Sequence, residues 1–162
     1  MNKKSYSLFL ALIFAAFTIC HAQQPALAIY HSYSEKSKDS HSTIENIGVT
    51  GTVLTYAVKY TGRKGPDQKD ESKKCTLTSE QVRSINKIIS EKKLNVTDSL
   101  VDNTAPDKSY QVMNTITITI TNGAKIVTTK VKGNPSGLKG KPLYKNAVSL
   151  YSAIMSMIKS CH

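Results

Sequence analysis

The stretch TITITIT, residues 115–121, with Asn122-Gly123 and then AKIVTTKVK, residues 124–132, decides how this chain can fold. Strict alternation of Ile and Thr sends every second side chain to one face of an extended strand. Asn-Gly is the dipeptide favoured in two-residue hairpin turns, where the central residues need positive φ. With Asn122-Gly123 as the turn, Ile118 would face Val127, Ile116 would face Thr129, and Asn114 would face Val131. The isoleucine row continues through Val127 and Val131, while Thr115, Thr117, Thr119, Thr128 and Lys130 share the other face with Ile126. One face of this hairpin is expected to be buried and the other wet.

Two helices are legible around it. Thr78 and Gln81 have the spacing of a capping box, in which each side chain satisfies a backbone N–H at the helix start. Leu77 and Val82 are placed as its hydrophobic staple, and Val82, Ile85, Ile88 and Ile89 form one apolar stripe that should fade near Lys93. A second stripe, Tyr144, Ala147, Val148, Tyr151, Ile154, Met155 and Ile158, predicts a longer helix at the end of the chain. Upstream, residues 51–61 (GTVLTYAVKYT) put Leu54, Tyr56, Val58 and Tyr60 on one strand face, and residues 26–34 (ALAIYHSYS) alternate more weakly.

The segments between them read as connections. Residues 35–45 are rich in Ser and Lys, 63–74 are highly charged, 95–108 lack periodicity, and 133–142 (GNPSGLKGKP) are rich in Gly, Pro and Lys. The expected architecture is therefore α+β: a two-layer sandwich of one antiparallel sheet with two helices on one face, in the order ββαββα.

Residues 1–22 carry Lys3 and Lys4, an apolar run over 8–19, and a small residue at Ala22. That is the layout of a secretory signal peptide, and its apolar run is too short for a comfortable membrane span. The expectation is a single domain over 23–162, secreted or periplasmic, with no transmembrane segment once the signal is removed. Of the 162 residues, 22 are Lys or Arg and 11 are Asp or Glu. Removing the signal takes two of the lysines and none of the acids, so a net charge of +11 becomes about +9. It also takes all three Phe from a chain that has no Trp. An aliphatic core this modest benefits from a staple, and Cys75 and Cys161 are the pair left to form a disulfide in an oxidising compartment.

One domain of this size excludes a multidomain machine, a polytopic membrane protein or a repeat array. His31, His41 and His162 match no zinc spacing, and neither HExxH nor GxSxG occurs, so no metal, cofactor or assembled catalytic motif is expected. No helix-turn-helix, zinc finger or aromatic RNA motif supports sequence-specific nucleic-acid binding. The basic charge instead suits an anionic partner, either a protein or an anionic glycan or envelope component. Residues 133–142 depart from the phosphate-loop pattern, since Pro142 stands where Ser or Thr would be needed, but Lys139, Lys141 and Lys145 form a candidate anion-binding patch. Asn95-Val96-Thr97 matches an N-glycosylation acceptor, and Asp98-Ser99-Leu100 resembles a short O-glycosylation pattern. The reading is an exported, disulfide-stapled binding or inhibitor-like protein of unidentified ligand, favoured over an enzyme. The competing readings are a small secreted hydrolase with residues converging from separate elements, and a structural envelope component.

Overall fold

The computed structural model describes residues 26–36, 40–62, 68–104 and 112–161, so the signal segment, His162 and residues 63–67 of the first charged loop lie outside the described residues. Seven strands form one sheet: β1 Ala26–Glu35, β2 His41–Thr50, β3 Val53–Gly62, β4 Glu71–Thr76, β5 Ser99–Asn103, β6 Val112–Asn122 and β7 Lys125–Gly133. The helices are α1 Ser79–Glu91, the short α2 Pro135–Leu138 and α3 Pro142–Lys159. Across the sheet the strands run β4-β3-β2-β1-β6-β7-β5, and every pairing is antiparallel except the parallel β5–β7. The fold is mixed α+β with the sheet dominant. The chain order is ββββαβββαα, which corrects the expected ββαββα.

Three strands lie in segments read as loops, each for a physical reason. In β2 the inward positions are Glu45, Ile47 and Val49, while Ile44 faces outward; the carboxylate interrupts the apolar alternation that marks a strand. The edge strand β4, ESKKCT, buries little and protects its free edge with lysines. The other edge strand, β5, is short and has one parallel neighbour. Residues 133–142 also differ from the loop expected, since Asn134 caps the single turn of α2 by accepting from Ser136 N–H.

The central hairpin has the expected faces in a different register. Asn122 pairs with Lys125, so Gly123 and Ala124 make the turn, and Ile116 faces Val131, Ile118 faces Thr129, and Ile120 faces Val127. Gly123 supplies the positive φ (59°) at the first central position, as Gly51 (58°) does between β2 and β3. A slip by two residues preserves which side chains are buried. Ile116, Ile118, Ile120, Val127, Thr129 and Val131 are all buried.

Both long helices cover that same face. The capping box at the start of α1 is complete, with Gln81 N–H donating to Thr78 and Thr78 N–H donating to Gln81. Its residues Val82, Ile85 and Ile89 pack against Leu27 of β1 and Val49 of β2. Ala147, Leu150, Ile154 and Ile158 of α3 complete the core. Because β4 and β5 are the opposite edges, α1 and the residues that follow it, up to Asp98, carry the chain from one edge of the sheet to the other. Cys75, on the helix side of β4, is bonded to Cys161 just past α3, with Cα atoms 6.0 Å apart. Among the described residues, no helix is long and apolar enough to cross a membrane.

Candidate functional site

Alternation of side chains gives the sheet two polar regions, one under the helices and one on the opposite face. Beneath α3, the inward row of β1 runs Leu27, Ile29, His31, so a polar group occupies a core phase. His31 stands opposite Glu45 of β2, with Nδ1 2.6 Å from Oε2, and its Nε2 lies 2.9 Å from Oδ1 of Asn114 on β6. Tyr56 donates to the other Glu45 oxygen at 2.9 Å, Tyr151 of α3 donates to Oε2, and Asn114 donates to Tyr144 at 3.4 Å. The Tyr151 and His31 rings lie 4.7 Å apart.

Burial alone would raise the Glu45 carboxyl, but hydrogen bonds from His31, Tyr151 and Tyr56 outweigh it and hold the carboxyl below its ordinary range. The two phenols move the other way. Burial, followed by the hydrogen bond to Glu45, pushes Tyr56 and Tyr151 well above the ordinary tyrosine range. Both His31 ring nitrogens are engaged and the carboxylate accepts three side-chain bonds. Such a saturated network ties β1, β2, β3 and β6 to α3.

The opposite face carries no helix among the described residues. One row crosses it from β4 to β7 as Ser72, Ala57, Asn46, Tyr30, Thr117 and Lys130, and the next row runs Lys74, Thr55, Gly48, Ala28, Thr119 and Thr128. Small residues at 28, 48 and 57 leave a trough of about 750 Å³ with Lys74 on its bank. A Cβ on Gly48 would come within 2.8 Å of Thr55 Oγ1, so a larger residue there would crowd the floor. Tyr30 rises from the middle of the sheet, 39% exposed. The strand residues of this face include Lys59, Lys74, Lys130 and Lys132 against one acid, Asp102. Hydrogen bonds from the side chain and backbone of Thr104, with smaller help from Lys132 and Lys130, hold the Asp102 carboxyl below its ordinary range.

Lys139, Lys141 and Lys145 are exposed around the start of α3, in the helix layer and away from the trough. No side chain caps that start and no acidic residue lies in its first turn. The two histidines separate: His31 enters the buried network, while His41 lies 3.8 Å from Glu35 and 6.2 Å from the Tyr33 ring. Asn95 is exposed, whereas Ser99 is half-buried at the start of β5. Among the described residues, no group of three or more His, Cys, Asp and Glu side chains is placed to hold a metal. Glu45, Asn114, Tyr30, Asn46 and Gly48 escaped the sequence reading. The available signal was His31 and Asn114 standing in phase with the Leu27–Ile29 and Ile116–Ile118–Ile120 rows, positions reserved for core residues.

In comparisons with known proteins, no family model matches the chain and no curated protein matches it.

Proposed function

We propose that this is an exported, disulfide-stapled binding protein that holds an anionic partner on the uncovered face of its sheet. One observation carries the reading: a trough of about 750 Å³ lies across the central strands, with small residues on its floor and lysines toward both sides. That volume is of the size used by ligand sites. The seven-stranded ladder beneath it is rigid, and the polar groups on this side face solvent. The buried His31–Glu45 network supports binding over hydrolysis, because its groups are already committed to one another.

The test compares two basic surfaces on immobilised dextran sulfate. Lys74→Glu combined with Lys130→Glu is expected to lower the salt concentration needed for elution far more than Lys139→Glu, Lys141→Glu and Lys145→Glu together. The reverse ranking would move the site to the start of α3 and overturn the open-face assignment.

A further inference from the structure

We infer that the partner held on the open face is an anionic polysaccharide laid across the strands, with one sugar ring resting on Tyr30. This rests on the open-face reading and narrows it to one ligand class. The distribution of charge is the first argument. Lys74 on β4 and Lys130 on β7 are five strand spacings apart, about 24 Å at about 4.8 Å per strand. Between them the rows are neutral, so the face suits an extended ligand with spaced charges better than a compact anion, which would need several cations converging on one point.

The chemistry of the neutral stretch is the second argument. Ser72, Thr117 and Thr119 carry hydroxyls that can donate and accept, Asn46 an amide that does both, and Thr55, whose hydroxyl donates to the Gly48 carbonyl at 3.3 Å, an oxygen that can still accept. Sugar hydroxyls have the same dual character. A peptide has a different need, since its backbone N–H and C=O groups bind best along a free strand edge. Here β3, β2, β1 and β6 each have a neighbour on both sides, so their main-chain groups are spent in ladders beneath the trough.

Tyr30 supplies the third. Its exposed ring stands in the row between Asn46 and Thr117, with Ala28 and Gly48 beside it in the next row. A flat aromatic ring flanked by low neighbours can take the C–H face of a pyranose while hydroxyls and amide engage its edge. Lysines farther along the rows would then meet the carboxylates or sulfates of neighbouring sugars.

The experiment measures binding of the mature chain to polygalacturonate, chondroitin sulfate, neutral dextran and poly-L-glutamate, with Tyr30→Ala, Gly48→Leu and Lys74→Glu as variants whose fold is checked by circular dichroism. The expected result is binding to polygalacturonate or chondroitin sulfate, weakened at least tenfold by each variant, with little binding to dextran or poly-L-glutamate. The preferred polymer tells carboxylate from sulfate. Equal binding of poly-L-glutamate, lost in Lys74→Glu and unchanged in Tyr30→Ala, would overturn the polysaccharide while leaving the anionic face standing. Binding indifferent to all three variants would overturn both.

Discussion

The two faces of the sheet are built from alternate residues of the same strands, yet they treat polar groups in opposite ways. His31 and Glu45 point under the helices, while their chain neighbours Tyr30 and Asn46 point into the open trough. On the covered face, as elsewhere among the described residues, no buried side-chain nitrogen or oxygen is left unsatisfied. On the open face the Tyr30 phenol, the Asn46 amide and the Ser72 hydroxyl are exposed to solvent. A buried group must be satisfied at folding, whereas an exposed one keeps its bonds for exchange with a ligand. Hence the more conspicuous constellation, a histidine beside a carboxylate, spends its bonds within the fold, and the plainer surface is the binding candidate.

The strongest way to break this contrast is Glu45→Ala, which strands His31, Tyr56 and Tyr151 without their shared acceptor. A loss of about 3–5 kcal/mol is expected in urea unfolding, the range for breaking a buried ion pair, and a loss below about 1 kcal/mol would mean that the network does not hold α3 in place. Next in size is the Cys75–Cys161 link, which ties the edge strand to the end of α3. Its removal by Cys75→Ser with Cys161→Ser is expected to cost about 2–4 kcal/mol, seen as a lower Tm, with dithiothreitol lowering the Tm of the native chain but not of the double variant.

The phenols give a smaller, pH-dependent effect. Tyr151→Phe should cost about 1–2 kcal/mol at neutral pH. Because the Tyr151 pKa is raised on folding, its stabilisation is complete below the ordinary tyrosine value, about 10, and is lost as pH rises toward the raised value. Glu45 has the opposite sign: its pKa is lowered, so its stabilisation is complete above the ordinary carboxylate range and is lost as pH falls through the lowered value. Stability measured against pH should therefore fall at both ends, with the alkaline limb reduced in Tyr151→Phe and the acid limb reduced in Glu45→Gln. The smallest expected change is on the other face, where Asn46→Ala should shift stability by no more than about 0.5 kcal/mol.

Legibility in the sequence followed the same division. TITITIT, residues 51–61, the Thr78–Gln81 box and the last helix could be read because each repeats one local rule over several residues. Leu150 was absent from the expected stripe although it is fully buried, since α3 is covered over a wider arc than the stripe implied. β2 was hidden by Glu45, whose burial makes sense only beside His31 and Tyr151, residues supplied by another strand and by a helix far along the chain. The trough was hidden more completely. Ala28, Gly48 and Ala57 are unremarkable in three separate strands and become a floor only when register aligns them. The lysines were legible as charge but not as position: Lys139, Lys141 and Lys145 are close in sequence, whereas Lys74 and Lys130, distant in it, come onto one face only through strand register.

The strand order also sets the timing of folding. β1 lies mid-sheet between β2 and β6, and β6 follows only after β3, β4, α1 and β5 have been made. The hairpins β1 to β4 can zip early, but Leu27 and Ile29 keep an open flank until Ile120 and Ile118 arrive beside them. Such distant pairing carries a large loop-closure cost before any contact rewards it, which makes for slow folding. Until that pairing forms, β1 has an unpaired edge beside an apolar row, and unpaired strand edges with apolar surface are what make slow-folding chains prone to association.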